Sequence, residues 1–155
     1  MPGAIESIYI AEKPGAEMHR VTSATLIAGA GIHGDRNYDE AVVRDGQITL
    51  IDAAEIERFN RATGLSIGYG DPRRNVVTRG VELNGLVGKR FSVGQTTLLG
   101  VELCEPCATL GKRLASSTVS PAIVVETFAH RAGLRARIDA GGVIRVGDRV
   151  DIEAA

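Results

Sequence analysis

Short apolar runs broken by glycine constrain this chain more than any other feature. SIYIA (7–11), ATLIA (24–28), QITLI (47–51), NVVT (75–78), RFSVG (90–94), TTLLGVEL (96–103), LRARI (134–138) and VIRVGDRVDI (143–152) are rich in Val, Ile, Leu and Thr. Such runs read as strands. RDGQ (44–47) carries the Asp-Gly pair that favours a tight hairpin, and AGG (140–142) is a second turn signal between two strands. Helices are few. In DAAEIERFNRATG (52–64), Asp52 is the N-cap and Glu55 stands where a capping box needs it. Ile56, Phe59 and Ala62 share a face, and Gly64 stops the helix. In SPAIVVETFAHRAG (120–133), Ser120 caps, Pro121 suits the first turn, and Ile123, Val124, Thr127 and Phe128 form the apolar stripe. A short third helix starts after Pro106 and carries Leu110 and Leu114.

Strands thus outnumber helices and do not alternate with them. The expected fold is α+β and mainly β, a closed or strongly curved, barrel-like sheet with a few peripheral helices, not a doubly wound α/β fold. With 155 residues, the chain is expected to form one domain over 1–155.

Composition narrows the function by exclusion. The net charge of −1 gives no bulk attraction to nucleic acid or to an anionic membrane, and 4% aromatic residues with no Trp supply few stacking platforms for bases. No apolar run approaches the ~20 residues that span a bilayer. The start, MPGAIESIYI, lacks the basic and apolar regions of a signal peptide. A cytoplasmic, reducing setting is therefore expected, in which a disulfide staple is not the first use of two cysteines. The charge is unevenly spread. Residues 73–113 hold seven Lys and Arg against three Asp and Glu, and this basic third also holds both cysteines.

Those cysteines, Cys104 and Cys107, lie in LCEPC (103–107), and three uses compete for them. A structural zinc site ordinarily needs four ligands. One CxxC with the scattered His19, His33 and His130 does not make that pattern, so zinc is not expected. A thioredoxin-like dithiol would place the motif early, after a first βαβ strand, whereas here it lies two-thirds along the chain. The third use is one reactive thiol. Pro106 ends the strand, which puts Cys107 at the start of ATLGKRL with Lys112 and Arg113 about a turn beyond, and a thiol at a helix start near cations is more acidic and more nucleophilic. Two ordinary buried cysteines remain the plain alternative.

Two polar loops could serve such a thiol. GYGDPRRNVV sets Arg73 and Arg74 before a strand. The two cannot both face one way, and an inward arginine needs an anion, for which its planar fork suits phosphate. Asn75 adds an amide. An exposed turn with solvated arginines is the plain reading. GIHGDRNYD packs His33, Gly34, Asp35 and Arg36 into a loop whose glycines permit close approach to a ligand, but it is not a dinucleotide fingerprint.

Taken in order, GIHGDR, PRRNVVTRGVELNGLVGKRFSVG, VELCEPC and GGVIRVGDRV resemble the MOSC domain, in its small stand-alone bacterial form. The similarity runs over about residues 5–152, and its most specific parts are the segment from Arg73 to Gly88, the Pro106–Cys107 pair and Gly147–Asp148. The resemblance implies a barrel-like fold and a pocket for the molybdenum cofactor, molybdopterin. It maps the family's reactive cysteine onto Cys107, as persulfide sulfur carrier or molybdenum ligand, in chemistry independent of pyridoxal phosphate. It sets Arg73, Arg74 and Asn75 against the cofactor, with His33, Gly34, Asp35 and His130 as further pocket residues. A cysteine desulfurase or a molybdoenzyme or electron-transfer protein would be the partner. Two alternatives follow from the same resemblance: an enzyme that reduces N-hydroxylated compounds, and a non-catalytic module that delivers cofactor or sulfur. Cys104 lies outside the family pattern.

Overall fold

The computed structural model describes residues 3–42 and 44–152. In chain order they form β1 (Gly3–Ile10), β2 (His19–Val21), β3 (Ser23–Ile27), β4 (Gly31–Ile32), β5 (Ile48–Asp52), α1 (Ala53–Thr63), β6 (Val76–Arg79), β7 (Arg90–Val93), β8 (Thr96–Leu103), α2 (Ala108–Leu114), α3 (Pro121–Phe128), β9 (Leu134–Ala140), β10 (Gly142–Arg145) and β11 (Arg149–Ile152). A 3-10 turn at Leu83–Leu86 joins β6 to β7.

Seven strands close into a mixed barrel in the order β11-β7-β8-β9-β5-β6-β1, with β1 returning to β11 through Gly3 opposite Val150 and Ala4 opposite Arg149. Strand β2 pairs with β1 outside the ring, and β10, β3 and β4 form a small second sheet. Among these strands only β5 and β6 run parallel, because α1 carries the chain back between them. The mainly β, barrel-like fold expected from the strand pattern is the fold observed.

Alternation along the strands sorts side chains into two cores. Ile48, Leu50 and Val76 point into the barrel with Ile5, Ile8, Phe91, Leu98, Leu134 and Ile138. Ile51 and Val77 point outward onto Ile56 and Phe59 of α1, Leu110 and Leu114 of α2, and Val124 and Phe128 of α3. Strand β5 is buried at every residue, its apolar Ile48 and Leu50 in the inner core and Ile51 in the outer one. The rings of Phe59 and Phe128 stack at 4.3 Å and hold α3 to α1.

Several local signals have different outcomes from those expected. Asp45-Gly46 makes no hairpin: an irregular segment leads into β5, whose neighbours are β6 and β9. Gly141 joins no hairpin either, since β9 lies in the barrel and β10 in the second sheet. VIRVGDRVDI is two strands parted by a turn at Gly147, with φ of 94°. Asp52 does cap α1 through Ala54 N–H, but Glu55 turns to Arg58 and Arg131 instead of closing a capping box. Helix α3 stops at Phe128, five residues short of the expected end, and of its expected stripe Ile123 faces out.

Candidate functional site

Pro106 divides LCEPC as its chemistry requires. Strand β8 ends at Leu103, and Cys104 donates its N–H to the Gly133 carbonyl at 2.8 Å before the ladder stops. Residues 104–107 show neither turn nor bend, and α2 begins at Ala108 with Cys107 as N-cap. Cys104 is buried and Cys107 exposed, both as free thiols. Burial pushes the Cys104 thiol above its ordinary value. The amide of Leu110 foremost, then that of Thr109 and the charge of Arg74, draw the Cys107 thiol below its ordinary value against some desolvation.

Arg74 joins the cysteines to the polar loop. Its Nε donates to the Ala132 carbonyl at 2.9 Å and its Nη1 to the Pro72 carbonyl at 3.1 Å. Ala132 and Gly133 therefore hold Arg74 by one carbonyl and Cys104 by the next. That approach depends on Gly133, whose φ is 108° and whose missing side chain would collide with the Leu50 carbonyl. No carboxylate pairs with Arg74 among the described residues. Its charge acts on both thiols, and burial lowers its own pKa. A half-buried cation whose hydrogen-bond partners are all neutral carbonyls retains an unbalanced charge, and an anion brought beside it would be held.

The space beside Arg74 is suited to one. A cavity of about 380 Å³ is lined by Arg36, Arg44, Arg73, Arg74 and Arg135, with Glu102 the only acidic residue. Asp35 aims one of these cations: its carboxylate accepts from Ala11 N–H, Asn37 N–H and Arg36 Nη1, while Arg36 Nη2 donates to the Arg73 carbonyl at 2.9 Å. Asn75 lies behind the wall. It is fully buried, accepts from Thr49 N–H and Oγ1, and donates to the Tyr9 carbonyl. These bonds tie β5 to β1 and fix the base of the arginine loop.

The other residues expected at the site sit elsewhere. His33 is exposed, edge-on to Tyr38 at 6.1 Å, and neither it nor Gly34 lines the cavity. His130, with φ of 61°, grips Glu105 of the cysteine motif through its backbone N–H at 2.7 Å and its ring Nδ1 at 2.6 Å. It borders the cysteine segment without lining the cavity. Sequence reasoning missed Arg44 and Arg135 altogether and did not assign Arg36 to the site. Arg135 alternates outward on β9 opposite Thr49 and Glu102, a neighbourhood that only strand pairing creates. A further hollow of about 330 Å³ near the start of α1, bounded by Asp52, Glu55 and Arg131, contains none of the expected site residues.

Among the described residues no three His, Cys, Asp or Glu side chains cluster to hold a metal ion, and no helix is long and apolar enough to cross a membrane.

Comparison with known proteins places these features in a family. The model of the MOSC domain matches residues 31–151. No curated protein matches the sequence. Among solved structures, the YuaD protein of Bacillus subtilis is similar over 100% of this chain and 97% of its own, with a TM-score of 0.87 and 18% identity. YiiM of Geobacillus stearothermophilus is similar over 99% of this chain and 76% of its own, with a TM-score of 0.72 and 15% identity. YiiM of Escherichia coli is similar over 100% of this chain and 71% of its own, with a TM-score of 0.68 and 15% identity.

Proposed function

The chain belongs to the MOSC domain family, and on that premise we propose that it binds the molybdenum cofactor in the arginine cavity and uses Cys107 as a sulfur carrier or molybdenum ligand. The observation that carries this reading is the placement of Arg74, which lines a cavity of five arginines while its charge favours the Cys107 thiolate.

The residues fit the group. Molybdopterin brings a phosphate, and Arg36, Arg44, Arg73, Arg74 and Arg135 offer forked donors with a net excess of positive charge. A cavity of about 380 Å³ suits a small molecule. The metal needs no protein cluster, because it arrives held by the cofactor's own sulfurs, and Cys107 offers one further soft ligand. When bound, the cofactor supplies a metal centre able to exchange sulfur, oxygen and electron pairs.

The rest is the work of this chain. The arginines draw the phosphate in and fix its orientation. The thiolate of Cys107 attacks the outer sulfur of a donor persulfide, such as that of a cysteine desulfurase. A sulfur–sulfur bond forms on Cys107, the donor leaves as its thiolate, and no net electrons are exchanged. Cys104, buried and held as the neutral thiol, stays out of this chemistry.

The test is expression in a host that makes the cofactor and in one that lacks the pathway. Molybdenum and pterin should co-purify only from the first, and Arg74→Gln should lower that content. Exposure to a persulfide donor should add one sulfur atom to the wild type but not to Cys107→Ser. Equal, negligible molybdenum from both hosts together with no added sulfur would defeat the proposal. Turnover of hydroxylaminopurine by the loaded protein would make it an enzyme, and retained binding without turnover would make it a delivery module.

A further inference from the structure

Arg73 lines a second cavity as well as the first. This one is about 560 Å³ and is bounded by Tyr9, Met18, Tyr69, Glu17, Arg73 and Arg113 among others. Part of its floor is anchored in the outer core, to which Tyr9 belongs and against which Met18 and Tyr69 pack. Gly70 lies against the Tyr9 ring so closely that an added Cβ would stand 2.7 Å from it.

Two cations face this floor without an acidic partner. Arg73 Nη1 donates only to the Ala16 carbonyl at 2.7 Å. Arg113 extends from the last turn of α2, is exposed, and forms no hydrogen bond or ion pair among the described residues. Burial, then the like charges of Arg113 and Arg36, weaken the hold of Arg73 on its proton. The backbone at Arg73 supports the same reading. Its φ is 66°, a left-handed conformation that residues other than glycine seldom adopt. That turn puts the Arg73 side chain on the wall shared by both cavities, while Arg74 lines only the first. Such strain collects where a side chain must be aimed.

Charge separates the two cavities. In the first, Arg36, Arg44 and Arg135 are paired with Asp35, Asp39 and Glu102, and Arg73 and Arg74 remain in excess, so a polyanion belongs there. In the second, Arg73 and Arg113 are balanced by Glu17 and Asp71, and the Asp71 carboxylate is already bonded to Gly68 N–H at 2.7 Å. Zero net charge disfavours a polyanion there, while Arg73 and Arg113, neither of them ion-paired, can together take one carboxylate, and the Tyr and Met side chains offer contact to a flat apolar body. We propose that this second cavity binds an aromatic monocarboxylate, with its ring against Tyr9, Met18 and Tyr69 and its carboxylate on Arg73 and Arg113.

Amide NMR of the whole protein, titrated with benzoate, acetate and inorganic phosphate in turn, tests this. Benzoate should shift the amides of Gly15, Gly68 and Gly70 and bind about tenfold tighter than acetate, about 1.4 kcal/mol by the affinity scale. Arg113→Gln, at an exposed position, should weaken benzoate about fivefold or more by the loss of one charged contact. Arg135→Gln, confined to the first cavity, should leave it unchanged. The proposal is overturned if benzoate binds no tighter than acetate, if its shifts fall on Gly46 and Thr49, or if Arg113→Gln has no effect. None of these outcomes depends on molybdenum content or on Cys107, so this site and the cofactor site stand or fall separately.

Discussion

Alkylation of Cys107 reports directly on its neighbours. With its thiol drawn below the ordinary value, more thiolate is present at pH 7, and each unit of pKa changes that fraction about tenfold. Arg74→Met removes a contributing charge, so the midpoint of the iodoacetamide rate should move to higher pH, with a rate at pH 7 lower by about two- to tenfold by the same scale. Arg74→Lys should restore most of that rate but not phosphate affinity, because it keeps the charge and loses the fork. Cys104 behaves in the opposite way. Its folded pKa is raised, so its contribution to stability is intact below the unfolded value of ~8.5 and is lost as pH rises through the folded value. Urea midpoints at pH 7.5 and pH 10 should therefore fall less in Cys104→Ala than in the wild type. The unlike settings of these thiols, one buried and one exposed, were legible because they follow from local chemistry: a proline that ends a strand and an N-cap that follows it. Arg44 and Arg135 were not legible. They reach the cavity only through folding, which brings residues from 44 to 135 to one wall.

At the scale of elements, the joint between the helical layer and the barrel is set by a few residues. Phe128→Ala removes one of two stacked rings in the outer core and should cost about 3–5 kcal/mol, read as a shift in the urea midpoint. Gly133→Ala is a different kind of lesion. The added methyl meets the Leu50 carbonyl in a backbone conformation that alanine resists. Stability should fall, and Cys107 alkylation should change too, since Gly133 carries the hydrogen bond to Cys104 and adjoins the carbonyl that holds Arg74. The Phe128 variant should leave the alkylation midpoint alone. Caps were readable from sequence because Asp52 and Ser120 bond within three residues of themselves. The turn signals misled because Asp45-Gly46 and Gly141 specify a change of direction, whereas the strand to be paired next is chosen by distant apolar faces.

The whole molecule depends on closure. Val150 is buried, pairs with Gly3 on one side and Val93 on the other, and belongs to the barrel interior. Val150→Asp places an unpartnered carboxylate there and should cost about 4 kcal/mol or more, with loss of the cooperative thermal transition. Val143→Asp, on an exposed face of the second sheet, should change the transition little. The barrel as a class could be anticipated from strands that outnumber helices without alternating. Its ring order could not, because β1 finds β11 across almost the whole sequence.

That closing seam also has a temporal meaning. On the ribosome, β1 emerges well over a hundred residues ahead of β11, so one of its ring neighbours is missing until Val150 has left the exit tunnel. At roughly 5–20 residues per second, the edge of β1 waits many seconds while intervening segments appear. Arg36, Arg44, Arg73 and Arg74 are all synthesised before Cys107 and Arg135, so the cavity acquires its full set of arginines, and Arg74 the thiol outside the cavity on which its charge acts, only late in translation. A nascent chain stalled near residue 130 would thus present an open sheet edge and an incomplete pocket, a state suited to capture by a chaperone.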